Sequence, residues 1–282
     1  MNYRHAYHAG NFADVLKHAA LVAVLLHLRK KETPFAVIDA HGGRGLYDLA
    51  SDEAGKTREA HDGIGRVLAA ETVPGALGPY RDIVRSFGDA LYPGSPLISS
   101  KLLRPKDRLV AIEKQPEEFA ALKTALKGVA RARIINGDFK RELKSLVPPP
   151  ERRGVVLLDP PYEAEDELSD AARSVIEAYR RFASGIYIVW YPAKDRAAVA
   201  SAVGELLNAG IGSLVQVELD VDGSSEAKAD RTGPPLSATG LFVANPPFGF
   251  RDEMKLVLPF LARLLARGPA ATFSLRPLAG ED

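Results

Sequence analysis

An aspartate, two prolines and a tyrosine follow an apolar run near the middle of the chain and could hold an amino-purine. Residues 155–158 have the composition of a buried strand, and Asp159-Pro160-Pro161-Tyr162 comes directly after them. The prolines fix φ at about −65° and supply no backbone donors, so the strand cannot continue through them. Asp159 and the Pro160 carbonyl can accept amino hydrogens, and the Tyr162 ring can stack on the base. The alternative is an ordinary turn, because Asp-Pro and Pro-Pro steps are common in loops.

A glycine-rich turn follows the first predicted strand at residues 39–45, with the sequence Asp-Ala-His-Gly-Gly-Arg-Gly. Glycines there let a ligand approach the backbone closely. A dinucleotide-binding turn would need a further glycine where the chain has Asp48, and a Gly-Lys-Ser/Thr phosphate loop is absent. The turn therefore favours a zwitterionic ligand without phosphates. Gly43 would admit its amino-acid part, and Asp39 would orient the loop or meet an amino group. A purely conformational role for the glycines is the alternative.

Short β-rich runs alternate with amphipathic segments along the chain, which predicts an α/β fold with a mostly parallel sheet and helices on both faces. The seven predicted strands are residues 35–38, 109–112, 133–135, 155–158, 186–190, 214–219 and 241–244. The predicted helices are residues 117–126, 169–182, 196–207 and 254–265.

One interval in this pattern is too long for a single βα unit. About seventy residues separate the first two predicted strands, whereas a βαβ unit needs roughly thirty. Residues 50–92 are polar, partly helical in period and interrupted by Gly and Pro, so we expect an inserted helical subdomain within a single domain of residues 1–282. Residues 223–235 are predicted to form a mobile loop.

Acidic residues follow four successive predicted strands: Asp39, Glu113, Asp138 and Asp159. The carboxyl ends of parallel strands meet at one edge of the sheet, where open α/β folds bind ligands. Glu113 would accept hydrogen bonds from a ribose diol. Asp138 would accept from an adenine amino group, with the Phe139 ring beside it. Each acid could separately begin a turn, but that explanation does not account for acids after four successive strands.

Composition restricts the class of protein. The chain has 282 residues, of which 46% are hydrophobic and 26% charged, and its formal net charge is +1. Nucleic-acid binding would therefore need a local basic patch. The absence of cysteine excludes disulfides and thiolate chemistry. The apolar stretch at residues 19–28 is too short to span a membrane, and no signal peptide is visible, so we expect a cytoplasmic protein. We also expect a monomer. No metal-ligand cluster stands out, which predicts a reaction without a metal.

Several motifs together resemble the RlmJ family of bacterial 23S rRNA adenine-N6 methyltransferases, which use S-adenosylmethionine. The resemblance runs nearly the whole chain and is most specific at residues 3–18. It rests on Tyr3-Arg4-His5, His8-Ala9-Gly10-Asn11, Ala13-Asp14-Val15-Leu16-Lys17-His18, Tyr92-Pro93-Gly94-Ser95-Pro96-Leu97-Ile98, Arg152-Arg153-Gly154, Asp159-Pro160-Pro161-Tyr162 and Trp190-Tyr191-Pro192.

The resemblance implies a Rossmann-like class I methyltransferase fold with an inserted helical subdomain, and 23S rRNA as the partner. It implies cofactor contacts at several positions, of which Phe139 stands where relatives can carry glycine. With the glycine turn and the proline corner, the predicted cofactor-binding residues are His18, His41, Gly43, Ser95, Glu113, Asp138, Phe139 and Asp159. Asp159 is also the predicted catalytic residue.

The N-terminal segment interleaves rings and cations, as suits a tail that closes over a flipped base. We therefore expect residues 1–18 to form a lid, and the resemblance points to its Tyr3, His5 and Lys17 as substrate contacts. Pro160 and Tyr162 complete the predicted substrate side. The alternative is a frayed terminus in which Asn11 merely caps a helix that begins near Phe12.

A second proline corner, Asn245-Pro246-Pro247-Phe248, follows the last predicted strand and fits the looser pattern of amino-methyltransferases. Position favours Asp159, because its strand is expected beside the first one. Asn245 would line the substrate side or close the sheet.

Two other functions use the same residues. One is methylation of DNA at adenine N6 or cytosine N4, or a related role in DNA utilisation. The lack of a separate target-recognition domain argues against sequence-specific duplex DNA. The other is a nucleic-acid-binding protein without activity, which the intact Asp159 corner disfavours.

Overall fold

The computed structural model describes residues 5–164, 166–223 and 236–280. Most of the loop predicted at residues 223–235 and the predicted contact Tyr3 lie outside these ranges.

Ten strands are present in the described parts of the chain. They are β1 (Ala36–Asp39), β2 (Leu46–Asp48), β3 (Leu91–Pro93), β4 (Arg108–Glu113), β5 (Ala132–Asn136), β6 (Gly154–Leu158), β7 (Ile186–Pro192), β8 (Leu214–Asp220), β9 (Ala238–Ala244) and β10 (Thr272–Ala279). Eight form one sheet in the order β10-β8-β9-β7-β6-β1-β4-β5, and β2 pairs with β3 in a separate hairpin. The five strands from β7 to β5 are parallel. β9 runs antiparallel to β7 and β8.

The predicted fold class is confirmed, with one strand more than expected. All seven predicted strands are present, but β10 adds an eighth that pairs antiparallel with β8. Its side chains are mostly exposed or half-buried and it contains Pro277. An edge strand of this kind lacks the apolar run that marks a buried strand, and an edge position tolerates proline.

Helices cover both faces of the sheet. Those of the described residues are α1 (Phe12–Arg29), α2 (Asp52–Thr57), α3 (Arg66–Ala69), α4 (Leu77–Arg85), α5 (Ser95–Leu102), α6 (Pro116–Ala125), α7 (Phe139–Leu146), α8 (Glu167–Arg181), α9 (Arg196–Asn208) and α10 (Phe250–Leu264). Alternate residues of each strand enter separate cores, because side chains of a strand point to opposite faces in turn. Val37 joins a core with α1, α4, α5, α6 and α10. Ile38 joins another with α7, α8 and α9.

Helix α1 begins where the sequence predicts. The Asn11 side chain accepts hydrogen bonds from the backbone N–H groups of Ala13 and Asp14, both at 3.0 Å. Most residues of α1 are buried. Among the described residues, no helix combines the length and apolar character needed to cross a membrane.

Residues 50–92 contain α2, a π-helical turn at His61–Gly65, α3, α4 and most of β3. Side chains such as Ile64 and Tyr80 enter the same apolar core as α1. The segment also meets the N-terminal turn, where the Ile64 N–H donates to the Gly10 carbonyl at 2.8 Å. The packing of this segment therefore supports the start of α1.

Gly63→Ala should loosen that contact. An added Cβ would overlap the Gly10 carbonyl oxygen and lie 2.8 Å from the Cα of Asn11. We expect the free energy of unfolding to fall by about 1–3 kcal/mol, as in other overpacked sites. Urea denaturation of the purified variant measures this.

Gly55→Ala is the matched control, because nothing lies within 4 Å of a Cβ added in α2. Alanine should leave stability unchanged or raise it by about 0.5–1 kcal/mol through its better helix propensity. Equal effects of the two substitutions would contradict the proposed close approach.

Candidate active site

A cavity of about 470 Å³ opens at the carboxyl ends of β1, β4, β5 and β6. Its lining includes all eight predicted cofactor residues and the substrate candidates His5, Lys17 and Pro160. Tyr162 is not among the lining residues. The structure thus brings the acidic strand ends together, as parallel strands require. Which of these side chains touch a cofactor stays a prediction.

The glycine turn is held against the end of β4. Gly43 adopts a positive φ of 57°, a region that favours glycine. Its N–H donates to Glu113 Oε2 at 2.9 Å, and the Gln115 N–H donates to Oε1 at 2.7 Å. Burial raises the pKa of Glu113. Each Glu113 oxygen keeps a further lone pair, so the carboxylate can both fix the turn and accept from a hydroxyl.

Asp39 lies beneath this turn and is completely buried. Its Oδ1 accepts a hydrogen bond from the His41 N–H at 3.2 Å. Burial raises the pKa of Asp39 to about 6. Burial has a larger effect on this pKa than hydrogen bonding from the Ser95 side chain, which lowers it. The carboxyl group therefore carries a charge near neutral pH at a cost in folding free energy.

His41 connects the glycine turn to the proline corner. The Asp159 N–H donates to His41 Nδ1 at 3.1 Å, so Nδ1 is an acceptor and the neutral ring carries its proton on Nε2. Burial lowers the pKa of His41 to about 4. The ring centroid lies 4.4 Å from that of Phe139. The corner thus has a fixed, uncharged imidazole beside it.

Asp138 is the N-cap of α7. Its Oδ1 accepts from the Lys140 N–H at 3.0 Å, and its Oδ2 pairs with Lys114 Nζ at 2.8 Å. Burial would raise the pKa of Asp138, but these bonds and charges outweigh it and lower the pKa. Asp138 is therefore an ionised acceptor. The Lys114 side chain is largely exposed and can move away from it.

Lys17 of α1 forms a buried ion pair with the corner. Its side chain is 4% exposed, and Nζ contacts Asp159 Oδ2 and, at 2.7 Å, Asp14 Oδ1. Burial alone would lower the pKa of Lys17, but the two carboxylates outweigh it and raise the pKa above its usual value. Lys17 therefore stays protonated and is not a base in this arrangement. Asp159 Oδ1 has no partner in the described parts of the chain.

Asp14 organises the N-terminal turn around Lys17. The Gly10 N–H donates to Asp14 Oδ2 at 2.8 Å, and His5 Nε2 lies 3.0 Å from the same oxygen. Burial would raise the pKa of Asp14, but His5 and Lys17 lower it well below the usual value. The sequence marked this residue only as part of a helix start. The signal for the ion pair is its i,i+3 spacing from Lys17 on one helix face.

His18 lies at the end of a buried polar chain. Its Nδ1 is 2.6 Å from the Tyr92 hydroxyl, which is 2.8 Å from the Tyr80 hydroxyl. Burial lowers the pKa of His18 to about 3. An uncharged His18 thus lines the cavity, oriented by tyrosines of the long segment between β1 and β4.

Tyr162 lies beside the corner but outside the cavity. Its φ is 54°, its hydroxyl donates to the Trp190 carbonyl, and the two ring centroids are 5.4 Å apart. Lys17 Nζ lies 5.9 Å from the centroid of the Trp190 ring. Tyr162, Trp190 and Lys17 are therefore neighbours. The sequence did not mark Trp190 as a site residue.

The second proline corner lies at the opposite edge of the sheet. β9 is antiparallel to β7 and pairs its last residue, Ala244, with Tyr187 near the start of β7. Asn245 Nδ2 donates to the carbonyls of Ala183 and Gly185 at 2.7 and 2.8 Å. Asn245 closes the turn that precedes β7, and it is remote from the cavity.

Comparison with known proteins decides the family. A family model described as "Ribosomal RNA large subunit methyltransferase D, RlmJ" matches residues 32–274. The chain belongs to the RlmJ family. Two curated relatives bear the name "Ribosomal RNA large subunit methyltransferase J". The protein of Escherichia coli K12 is 38% identical over 276 residues, covering 96% of each chain. That of Haemophilus influenzae Rd is 36% identical over 270 residues, covering 94% of each.

A solved structure shares the fold of this chain. The crystal structure of protein LPL1258 from Legionella pneumophila is 30% identical, with a TM-score of 0.87 over 98% of this chain and 99% of that one. The resemblance seen in the sequence is thus confirmed. As a member of the RlmJ family, the protein is a methyltransferase, which implies S-adenosylmethionine as the methyl donor.

The residues of the cavity fit this cofactor. Glu113 offers lone pairs for hydroxyls, and Asp138 is ionised. A Cβ added at Gly43 would overlap the Tyr47 hydroxyl, so only glycine fits at this position of the turn. No group of three His, Asp or Glu residues that could hold a metal ion occurs within the described ranges.

Asp39→Asn should stabilise the protein without cofactor above pH 6. The folded-state pKa of about 6 exceeds the unfolded value of about 3.9, so the folded wild type loses stability as pH rises from about 4 to about 6. Asparagine lacks this loss. We expect a gain of up to about 2–3 kcal/mol at pH 7.

Urea denaturation at pH 4, 5, 6, 7 and 8 measures the difference between variant and wild type. The difference should grow between pH 4 and 6 and then stay level. Asp82→Asn, at an exposed site of α4, is the control and should show no such change. A stability difference for Asp39→Asn that does not depend on pH would contradict the charged, buried carboxylate.

Proposed function

We propose that the protein transfers the methyl group of S-adenosylmethionine to N6 of an unstacked adenine in 23S rRNA, releasing S-adenosylhomocysteine. The observation that carries this proposal is the Asp159 corner at the end of β6. There Asp159, whose Oδ2 contacts Lys17, and Pro160 line a cavity with the acceptors that the cofactor needs. The names of the relatives support ribosomal RNA as the substrate.

Different residues around the cavity would bind different parts of the cofactor. Glu113 would accept from the ribose, while Asp138 and Phe139 would hold the adenine. The amino-acid part of the cofactor would contact the glycine turn, α1 and the start of α5, through Gly43, His41, His18 and Ser95. When bound, the cofactor supplies an electrophilic methyl group on a positively charged sulfur.

Asp159 would act on the amino group of the target base. The lone pair of adenine N6 is delocalised into the ring, which makes it a poor nucleophile. Asp159 Oδ1 and the Pro160 carbonyl would accept its two hydrogens and favour a pyramidal nitrogen. The methylated nitrogen must then lose one proton, and Asp159 would receive it directly or through water. Fixing the base in line for attack supplies much of the acceleration.

Lys17 would position this carboxylate. It stays protonated, so its ammonium holds Asp159 Oδ2 while Oδ1 remains for the base. Asp14 balances the charge of Lys17 and binds His5. The N-terminal segment is thereby held at the cavity, where His5 and Tyr3 would contact RNA. Tyr162 would stack on the base, with Trp190 beside it.

The substrate is proposed to be naked or early-assembly RNA bound by a cytoplasmic monomer. An adenine must leave its stack to reach the corner, and this costs least in single-stranded or looped RNA. We expect no metal requirement, because the proposed proton transfer uses only Asp159 and water. Methyl transfer should therefore persist in a chelator.

Transfer of labelled methyl groups to naked 23S rRNA, assembled large subunits or duplex DNA tests the proposal. The wild type should label the rRNA, and digestion should release the label as N6-methyladenosine. Asp159→Asn should lower the rate by at least about 100-fold, because it removes the proton acceptor. Its affinity for S-adenosylmethionine, measured by calorimetry, should stay within about threefold of the wild type.

Asp82→Asn makes the same chemical change at an exposed site of α4 and should keep the wild-type rate. A near-wild-type rate for Asp159→Asn would refute the catalytic assignment. Preferential labelling of DNA would refute the RNA substrate.

A further inference from the structure

The turn after β9 presents an aromatic ring to solvent. Phe248 is 92% exposed, far more than any other large hydrophobic side chain of the described residues. Its turn is firmly attached, because the Asn245 N–H donates to the Ser213 carbonyl and the Phe250 N–H to the Pro247 carbonyl, both at 2.9 Å. The ring is thus exposed on a fixed support.

Cations lie at the end of α1, next to the cavity that Phe248 lines. Lys30 lines the same 230 Å³ cavity as Phe248 and His27. Lys31 follows Lys30, the C-cap of α1, and the Arg153 guanidinium donates to the carbonyl of Leu28 in the last turn of that helix. All three cations therefore lie at the end of α1. Lys30 and Lys31 are exposed at the end of α1 and have no ion-pair partner in the described parts of the chain.

Arg153 is fixed between backbone carbonyls. Its guanidinium donates to the carbonyls of Leu28 and Thr33 and forms no ion pair with a described carboxylate. Glu253, which lines the same cavity, accepts from the Ala76 N–H, and Asp252 pairs with Lys255. Glu32 follows the lysines but forms no ion pair with them. The surface of Phe248, Lys30, Lys31 and Arg153, here called the rear patch, is therefore positively charged.

The rear patch lies far from the proposed active site. Lys17 lies in α1, and Lys30, thirteen residues further along, is the C-cap of the same helix. At 1.5 Å per residue this separation is about 20 Å. One helix thus joins the patch to the corner. A ligand that reaches both must be large, as a ribosomal RNA is.

We propose that the rear patch is a second contact surface for 23S rRNA, with an unpaired base stacked on Phe248 and phosphates held by Lys30, Lys31 and Arg153. The inference rests on the proposed function. An aromatic ring among cations matches the way single-stranded nucleic acids are held. A chain with a net charge of only +1 needs such local patches to bind RNA. The patch also gives a role to Asn245–Phe248, which the active site does not use.

Binding of a naked 23S rRNA transcript, measured at several salt concentrations, tests this surface. Lys30→Ala/Lys31→Ala should make the slope of log affinity against log salt less negative by about 1.4–1.8, because two phosphate contacts are lost. Phe248→Ala should weaken binding by about 5- to 100-fold, the effect of losing one stacked base. In methylation assays both variants should raise KM for the transcript and keep kcat.

Matched controls are Lys123→Ala/Lys127→Ala, which removes two exposed lysines near the end of α6, and Phe273→Ala on β10. These should keep the wild-type slope and affinity. Unchanged affinity and slope in all rear-patch variants would overturn the inference, even if the patch proved to bind a protein. Failure of the wild type to bind or methylate the transcript would instead refute the proposed function, so the two failures are distinguishable.

Discussion

A buried ammonium between two carboxylates connects the parts of this protein that the proposed chemistry needs. Lys17 comes from α1, Asp14 from the preceding turn of the same helix, and Asp159 from the end of β6. Removing charges from water is costly, and only close pairing compensates for it. Lys17 and Asp14 are the buried members of this group, and Asp159, which is half-buried, completes the pairing of the ammonium. Through His5 and Gly10, the same ion group fixes the N-terminal turn at the cavity.

Strand direction decides what each proline corner can do. Asp159 and Asn245 both follow buried strands and both precede two prolines and an aromatic ring. Because β9 runs antiparallel to β7, Asn245 lies at the edge of the sheet opposite to Asp159. There its amide closes a turn and leaves Phe248 exposed, whereas Asp159 meets Lys17. The same four-residue pattern thus serves two surfaces joined by α1.

Much of this architecture can be predicted from the sequence. Apolar runs mark the buried strands, Asn11 marks the start of α1, and acids after parallel strands mark the cavity edge. Three features escape such reasoning. β10 is an edge strand without an apolar run, and the reversal of β9 depends on which strands pair across the sheet. The Asp14–Lys17–Asp159 group is a tertiary contact, because Lys17 and Asp159 are 142 residues apart.

A double-mutant cycle of Lys17→Met and Asp159→Asn, followed by urea denaturation at pH 7, tests most directly whether this ion group connects α1 to the corner. Lys17→Met alone leaves two carboxylates without their buried cation and should cost about 3–5 kcal/mol of unfolding free energy. Adding Asp159→Asn should recover part of that loss, with a coupling energy of about 1–3 kcal/mol. Additive effects within about 0.5 kcal/mol would contradict the account, because independent sites behave in that way.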